Sequence, residues 1–289
     1  MKLLSIELFG QYKGLKDQAF DFSMVKGDVA VLIGPNGSGK SQVMELIAEA
    51  FAYLERLQRK DFRVRDSLGY DFRVAYEMAS SRYQGVRRFT VDTREGVRFA
   101  VRELVDTNYE DDEQHAPVTW HQLKSGGGTN ELELPRVIGY ASGMSENLQR
   151  AFMRNALQYF DVIRVRANLK NELAQPKVDE KATLAINERY LKRNPGIFEP
   201  EGQDPELGLF RLRETDTPIP KNLFLDYDCA SLVIAMLGML NHADRDAVWN
   251  EIPFRHPTRA VLRYDLRGHA TASDNARDIK RLIELAGTN

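Results

Sequence analysis

The sequence predicts an α/β protein, in which a mixed core sheet is joined by an antiparallel β subdomain and by helical additions. Three observations predict it. The unbroken apolar run 29–33 ends in glycine, which is typical of a parallel strand that is buried on both faces. Apolar residues then recur at helical spacing through about Leu57, which predicts an amphipathic helix. Alternating apolar residues at 72–78, 88–91 and 97–101 predict an antiparallel meander with one face exposed to water.

Two further strands are expected before that apolar run. Residues 3–9 alternate apolar Leu4, Ile6 and Leu8 with polar side chains, and residues 20–22 form a shorter segment of the same kind. A glycine-containing turn lies between the two segments. The chain therefore opens with strands and reaches its first helix only after residue 33.

The second half of the chain predicts more helix. A strand is expected at 136–140, followed by helices at 145–160 and 179–193, whereas residues 194–222 are rich in proline and glycine and are expected to be irregular. A helix at 228–240 is apolar nearly all round and is expected to be buried. A strand at 258–266 and a closing helix at 274–285 complete the prediction.

Composition excludes several classes of protein. The formal net charge of −2 gives no overall attraction for nucleic acid, and the single cysteine, Cys229, excludes an internal disulfide and a zinc cluster. The five histidines show no spacing typical of metal ligands. No signal peptide opens the sequence and no run of about 18 apolar residues is present, so a cytoplasmic protein without membrane contact is expected.

Residues 34–41 match the phosphate-binding pattern G-x-x-x-x-G-K-[S/T], between a predicted strand and a predicted helix. Glycines let backbone N–H groups converge on one phosphate, and the helix dipole points its positive end to the same place. We expect Lys40 to reach the β- and γ-phosphates of ATP and the Ser41 hydroxyl to coordinate Mg²⁺. The predicted nucleotide-binding residues of this segment are Asn36, Gly37, Ser38, Gly39, Lys40, Ser41 and Gln42.

These features together resemble the head of an ABC-type ATPase of the SMC, RecF and overcoming-lysogenization-defect branch. The resemblance rests on the strand and basic turn at 4–14, the short strand at 20–22 and the loop V-L-I-G-P-N-G-S-G-K-S. The segment L-P-R-V-I-G-Y-A-S-G-M-S-E at 134–146, with F-L-D-Y-D at 224–228, is similar to restriction-system-associated and phage-defence ATPases. The resemblance implies that the turn at Tyr12 and Lys13 approaches the nucleotide; a plain surface turn is the alternative.

The resemblance also implies an ATPase whose two heads hold nucleotide between them as a dimer and control an effector, such as a nuclease, in anti-phage defence or DNA processing. A signature segment, a Walker B strand and a switch histidine are not evident after residue 150, so the chain is expected to be the N-terminal part of such a head, or a split or minimal form of it. Residues 1–170 are expected to form the N-terminal lobe. Residues 171–289 are expected to continue the same head without folding independently.

Asp226 is the candidate acid for catalysis together with Lys40. Only three apolar residues precede it, fewer than a Walker B strand needs, so Asp226 or Asp228 is also a candidate N-cap of the following helix. Gln122 and Gln149 are candidates for a glutamine that senses metal and γ-phosphate. Two other functions stay open, a nucleotide-binding switch without turnover and a P-loop kinase of a small molecule.

Nucleic acid is a further candidate partner, through local basic surfaces. Basic residues outnumber acidic ones between Arg56 and Glu103, and again between Arg150 and Lys170. Such surfaces could follow a phosphate backbone. A solvated charged face is the alternative.

Overall fold

The structure is a computed structural model that describes residues 1–27, 29–63, 67–82, 85–103, 119–123, 132–141, 146–176, 178–203, 210–215 and 219–225. The elements of these residues follow in chain order: β1 (Lys2–Phe9), β2 (Gln11–Tyr12), β3 (Leu15–Lys16), β4 (Ala19–Asp21), α1 (Lys40–Gln58), β5 (Asp71–Ala79), β6 (Val86–Asp92), β7 (Arg98–Glu103), β8 (His121–Gln122), β9 (Val137–Tyr140), α2 (Glu146–Leu173), α3 (Glu180–Arg193), β10 (Phe198–Gln203), β11 (Phe210–Glu214) and β12 (Asn222–Leu225).

The largest sheet has six strands in the order β4-β1-β5-β6-β7-β8, and every neighbouring pair is antiparallel. Phe72, Val74 and Tyr76 of β5 are fully buried, and the residues between them are half-buried, as period-two alternation requires. The predicted strands at 3–9 and 20–22 and the predicted meander are therefore confirmed. The α/β class is confirmed as well.

Helix α1 lies on one face of this sheet. Its buried side chains Leu46, Phe51 and Leu54 belong to the same apolar cluster as Ile6 of β1 and Phe89 of β6. Spacings of five and three residues keep those three side chains on one side of the helix. The sheet thus supplies a rigid base for the loop that precedes α1.

A second apolar cluster joins the two other helices. Val162 and Leu169 of α2 pack with Ile186 of α3 and with Phe198 of β10. Helix α2 extends to Leu173, well past the predicted end at residue 160, whereas α3 agrees with its prediction. The prediction of irregular structure at 194–222 is wrong for 198–203 and 210–214, where β10 pairs with β11, and at Asn222, where β12 begins.

Strands β9 and β12 form a two-stranded parallel sheet, with Asn222 opposite Val137 and Leu225 opposite Tyr140. Phe224 of β12 packs with Phe152 of α2, with a ring-centroid distance of 5.7 Å, and both belong to a cluster that includes Ala48 of α1. The predicted strand at 136–140 is confirmed. Both α1 and α2 therefore pack on this parallel pair.

The apolar run 29–33 differs from its prediction. No strand is assigned there, and Val29, Val31 and Ile33 are 75%, 72% and 91% exposed. The prediction of a strand buried on both faces is wrong for the described part of the chain. The apolar composition of the run means that its burial would be favourable. Burial as a central strand also needs neighbouring strands from distant parts of the sequence, and none is assigned beside this run.

The predicted helices at 228–240 and 274–285 and the predicted strand at 258–266 lie outside the described residues. The expected division of the chain at residue 170 stays a prediction.

Candidate phosphate-binding site

The loop before α1 adopts a backbone conformation that glycine favours. Gly37 and Gly39 have φ angles of +84° and +86°, in the left-handed region where a Cβ is unfavourable. Between them, Ser38 N donates to the carbonyl of Pro35 at 3.2 Å. The two glycines therefore shape a compact turn that leads directly into the helix.

The sequence places no capping side chain at the N-terminus of α1. Gly39 is the N-cap, no side chain accepts a hydrogen bond from the first turn, and no acidic residue lies in that turn. The first N–H groups of a helix have no partner within the helix, and the helix dipole adds positive potential there. This end is consequently suited to an anion.

Lys40 folds back over the loop. Its Nζ donates to the carbonyls of Gly34 and Pro35, at 2.7 Å each, and lies 3.4 Å from Ser38 Oγ. The ammonium group thus sits over the turn, with only neutral oxygens as partners. It is close enough to meet an anion bound by the loop.

A hairpin of β2 and β3 packs against the first turns of α1. Lys13 forms an ion pair with Glu45, whose side chain is 3% exposed. A Cβ at Gly14 would lie 2.9 Å from Gln42 Oε1, so the two segments are in close contact. Lys13, predicted to bind nucleotide, therefore has an α1 carboxylate as its partner, and Gln42 lies against the hairpin.

Tyr12 is buried in this hairpin rather than exposed on a surface turn. It is 8% exposed, and its ring meets Tyr70 edge-on at a centroid distance of 5.1 Å. Burial raises the pKa of the Tyr12 hydroxyl, and the charge and hydrogen bond of Glu49 raise it further. Tyr12 is thus a neutral packing residue that anchors the hairpin.

A cavity of about 610 Å³ adjoins the helix start. Lys40 and Ser41 contribute to its polar wall, whereas Leu3, Met44 and Ile47 form apolar walls. Its volume falls within the range of about 300–1,000 Å³ that is typical of small-molecule sites. Lys40 and Ser41 therefore border both the loop and an open space.

Sequence reasoning missed a buried polar network at the other end of α1. Glu55 is 5% exposed and accepts hydrogen bonds from Lys221 N at 2.7 Å, from Asn222 Nδ2 at 2.8 Å and from Asn155 Nδ2 at 2.8 Å. Arg56 donates to Asn155 Oδ1 at 2.8 Å. Burial lowers the pKa of Lys221, while the charge of Glu55 opposes that shift. The network ties α1 to α2 and to β12.

A sequence signal for this network does exist. Glu55 follows Ser41 and Ala48 at steps of seven residues, so the three share one face of α1. An acid that shares a helix face with small residues such as Ala48 is more informative than an acid on a polar face.

The candidate acid Asp226 lies outside the described residues, although β12 ends at Leu225, directly before it. Gln122 is exposed in β8, where it pairs with Arg98 in the ladder. Gln149 is half-buried on α2 and borders a cavity of about 340 Å³. Neither glutamine lies among the residues that border the cavity beside Lys40. Their sensing role stays a prediction.

Several arginines in or beside the large sheet form ion pairs with acids. Asp92 is fully buried between Arg73 and Arg94, at 2.9 Å and 2.7 Å. Burial alone would raise the pKa of Asp92, but hydrogen bonds from Arg94 and Arg73 outweigh it and hold that pKa well below its ordinary value. Three more pairs follow the same pattern: Arg87 with Glu103, Arg88 with Glu77, and Arg98 with Glu95. These arginines therefore have acidic partners within the sheet, while basic residues still outnumber acidic ones between Arg56 and Glu103.

The described ranges contain no group of three or more His, Cys, Asp or Glu that could hold a metal ion. His121 is the histidine that these ranges include; His115, His242, His256 and His269 fall outside them. No described helix has the length and apolar character needed to cross a membrane. Comparison of the chain with models of known protein families, with curated proteins and with solved structures finds no match.

Proposed function

We propose that this chain binds ATP with Mg²⁺ as part of a P-loop ATPase of the ABC/SMC type. The observation that carries the proposal is the start of α1. Its N–H groups have no side-chain cap, its first turn has no acid, and the Lys40 ammonium lies over the loop that leads into it. Uncapped N–H groups and an ammonium group thus lie, with no acid in the first turn, where the sequence pattern predicts a phosphate.

In this proposal, the backbone of residues 36–40 surrounds the β-phosphate. Lys40 exchanges its carbonyl partners for oxygens of the β- and γ-phosphates, and charged acceptors make stronger hydrogen bonds than neutral ones. The Ser41 hydroxyl coordinates Mg²⁺. The Lys13–Glu45 ion pair holds the hairpin against α1, so that Gln42 and the loop keep their positions.

Hydrolysis requires an acid near the metal and the attacking water. We assign this role to Asp226, because β12 runs beside α1 and ends one residue before it. A carboxylate there would bind Mg²⁺ through water or orient the nucleophile. Lys40 and Asp226 are accordingly the two proposed catalytic residues.

The wider biological role is proposed from the resemblance to ABC-type ATPases. Two copies of the chain would hold nucleotide between them, and the ATP-dependent dimer would control an effector such as a nuclease in phage defence or DNA processing. Contact with nucleic acid would need a surface other than the paired arginines of the large sheet.

The test is ATP hydrolysis by the purified full chain, beside Lys40→Ala and Asp226→Asn. We expect hydrolysis that needs Mg²⁺, no measurable binding by Lys40→Ala, and binding without turnover by Asp226→Asn, with kcat at least about 100-fold lower. Wild-type binding without turnover would favour the nucleotide switch. Transfer of phosphate to an added small molecule instead of water would favour the kinase, and absence of ATP binding would contradict the whole proposal.

A further inference from the structure

The cavity of about 610 Å³ follows one flank of α1, starting at the residues that are proposed to bind phosphate. Lys40 and Ser41 border it where the helix begins. Met44 and Ile47, about one and two turns after Lys40, border it further along, so the cavity follows the helix for about 10 Å. The proposed phosphate site therefore opens into a space that extends well beyond the phosphate loop.

Apolar side chains form most of the wall beyond the helix start. They include Leu3 of β1, Phe22 after β4 and part of the exposed run 29–33. Apart from the two residues at the helix start, Lys2 is the only side chain with a polar group among the described residues that border the cavity. The space thus joins a site for an anion to an apolar compartment, and it suits a ligand that combines the two kinds of group.

The β2–β3 hairpin contacts a different flank of α1. Gln42 and Glu45 face the hairpin, whereas Met44 and Ile47 border the cavity. Each member of the first pair precedes one of the second by two residues. At about 100° per residue, the two flanks therefore lie about 160° apart around the helix axis. A ligand in the cavity lies on nearly the opposite side of α1 from the hairpin.

The aromatic ring of the hairpin is not free to stack on a base. Tyr12 is 8% exposed, and its ring packs edge-on against Tyr70. The ammonium group of the next residue, Lys13, forms an ion pair with Glu45. Both side chains of this turn thus have partners within the protein. The cavity on the other flank, in contrast, is an open space next to the phosphate loop.

We propose that this cavity is the nucleoside subsite, in which the base and ribose lie along Met44 and Ile47 while the phosphates lie at the start of α1. The proposal rests on the proposed function, which places the phosphates at residues 36–41. It names a different contact for the base than the turn at Tyr12 and Lys13.

The chemistry of the walls predicts weak selection between bases. A site that hydrogen-bonds a ligand group rejects analogues without that group strongly, whereas an apolar wall discriminates mainly by size and shape. No amide, carboxyl or imidazole side chain is present among the described residues that border the cavity. We therefore expect ATP and GTP to bind within about tenfold of each other. Both should bind at least about tenfold more tightly than inorganic tripolyphosphate, which lacks the nucleoside.

The first test protects an introduced thiol in the full chain. Met44→Cys is combined with Cys229→Ser, which removes the native thiol, and modification by a maleimide is timed. Because Met44 is 48% exposed, the thiol should react readily in the free protein. A ligand in a cavity buries most of its surface, so saturating Mg²⁺–ATP or Mg²⁺–GTP should slow the reaction at least about fivefold. Saturating Mg²⁺–tripolyphosphate should slow it less than about twofold.

The matched control is Met153→Cys in the same background. Met153 is 40% exposed on α2 and borders a different cavity, so neither nucleotide should protect a thiol there. Equal protection at both positions would show a general change in the protein and would overturn the nucleoside subsite.

A second test locates the base directly in the unmodified sequence. Azido-ATP that carries its azide on the purine ring is bound and irradiated, and the labelled peptides are identified by mass spectrometry. We expect label on the peptides that contain Phe22 or Met44, and excess ATP should remove it. Label confined to the hairpin 11–16 would overturn the subsite and favour the turn at Tyr12.

The outcomes distinguish this proposal from the proposed function. Binding of ATP that depends on Lys40, without protection of the thiol introduced at Met44, would contradict the nucleoside subsite and leave the phosphate site supported. A preference for one purine nucleotide above about 100-fold would contradict the apolar mode of base binding. Absence of binding by both ATP and tripolyphosphate would contradict the proposed function, and the subsite with it.

Discussion

Two helices of this protein begin in opposite ways. At α3, Asp179 is the N-cap, its carboxylate accepts a hydrogen bond from Ala182 N at 2.8 Å, and Glu180 adds negative charge to the first turn. At α1, Gly39 in a left-handed conformation replaces the cap, and the first turn contains Lys40 and no acid. At α3, the helix's own side chain therefore satisfies a free N–H group of the first turn. At α1 no side chain caps the first N–H groups, which the proposed function assigns to the phosphates of ATP. Added negative charge at this helix start should therefore raise stability and lower ATP affinity.

The largest effect is expected from Gly39→Ala. Position 39 has φ of +86°, and a Cβ there would lie 3.1 Å from Leu15 Cδ2, so the variant combines backbone strain with crowding against the hairpin. We expect the free energy of unfolding to fall by about 2 kcal/mol and ATP affinity to fall at least about tenfold. Urea unfolding and calorimetric titration measure the two effects.

The matched control is Gly85→Ala. Position 85 also has a positive φ, of +87°, but no atom lies within 4 Å of an added Cβ. It should lose about 1 kcal/mol of stability without a change in ATP affinity. A Gly39→Ala variant that keeps wild-type affinity would show that the left-handed N-cap is unimportant for the ligand.

Gln42→Glu makes the start of α1 resemble that of α3. The side chains have nearly the same shape, and a carboxylate in the first turn interacts favourably with the helix dipole. We expect the free energy of unfolding to rise by about 0.5 kcal/mol, while repulsion of phosphate weakens ATP binding about tenfold. Titration at two salt concentrations checks the cause, since the loss should shrink at high ionic strength. Tighter binding by this variant would contradict an anion site.

Asp179→Ala removes the cap of α3 and should have the smallest effect on ATP binding. The free energy of unfolding should fall by about 1 kcal/mol, because the hydrogen bond from Ala182 N is lost. ATP affinity should not change, since α3 packs with α2 and β10 and not with the phosphate loop. Thermal unfolding and titration of the same sample check both statements, and a loss of affinity would mean that the two helix ends are coupled.

Short sequence patterns correctly predicted the helices and strands whose formation depends mainly on residues close together in the chain. Helical spacing located α1, and strict alternation located β1 and β5 to β7. The cap of α3 follows from Asp179, whose carboxylate lies three residues before the N–H that it accepts from. The glycine-rich segment 34–41 likewise predicted that Lys40 and Ser41 lie at the start of a helix.

The features that the sequence did not predict depend on contacts between residues that are far apart in the chain. Strand β12 has only three apolar residues, so its pattern is weak, and it forms because β9, about 85 residues earlier in the chain, lies beside it in parallel. The run 29–33 shows the converse, since it has the composition of a buried strand without an assigned partner. Glu55 was missed because its partners, Asn155 and Asn222, are about 100 or more residues away.

The central claim is that the open start of α1 binds the phosphates of ATP. The most direct measurement is calorimetric titration of Mg²⁺–ATP into the full chain, into Lys40→Ala and into Asp179→Ala. We predict saturable binding by the wild type, the same affinity for Asp179→Ala, and affinity reduced by at least about 100-fold for Lys40→Ala. Binding of equal strength by Lys40→Ala, or absence of binding by the wild type, would contradict the claim.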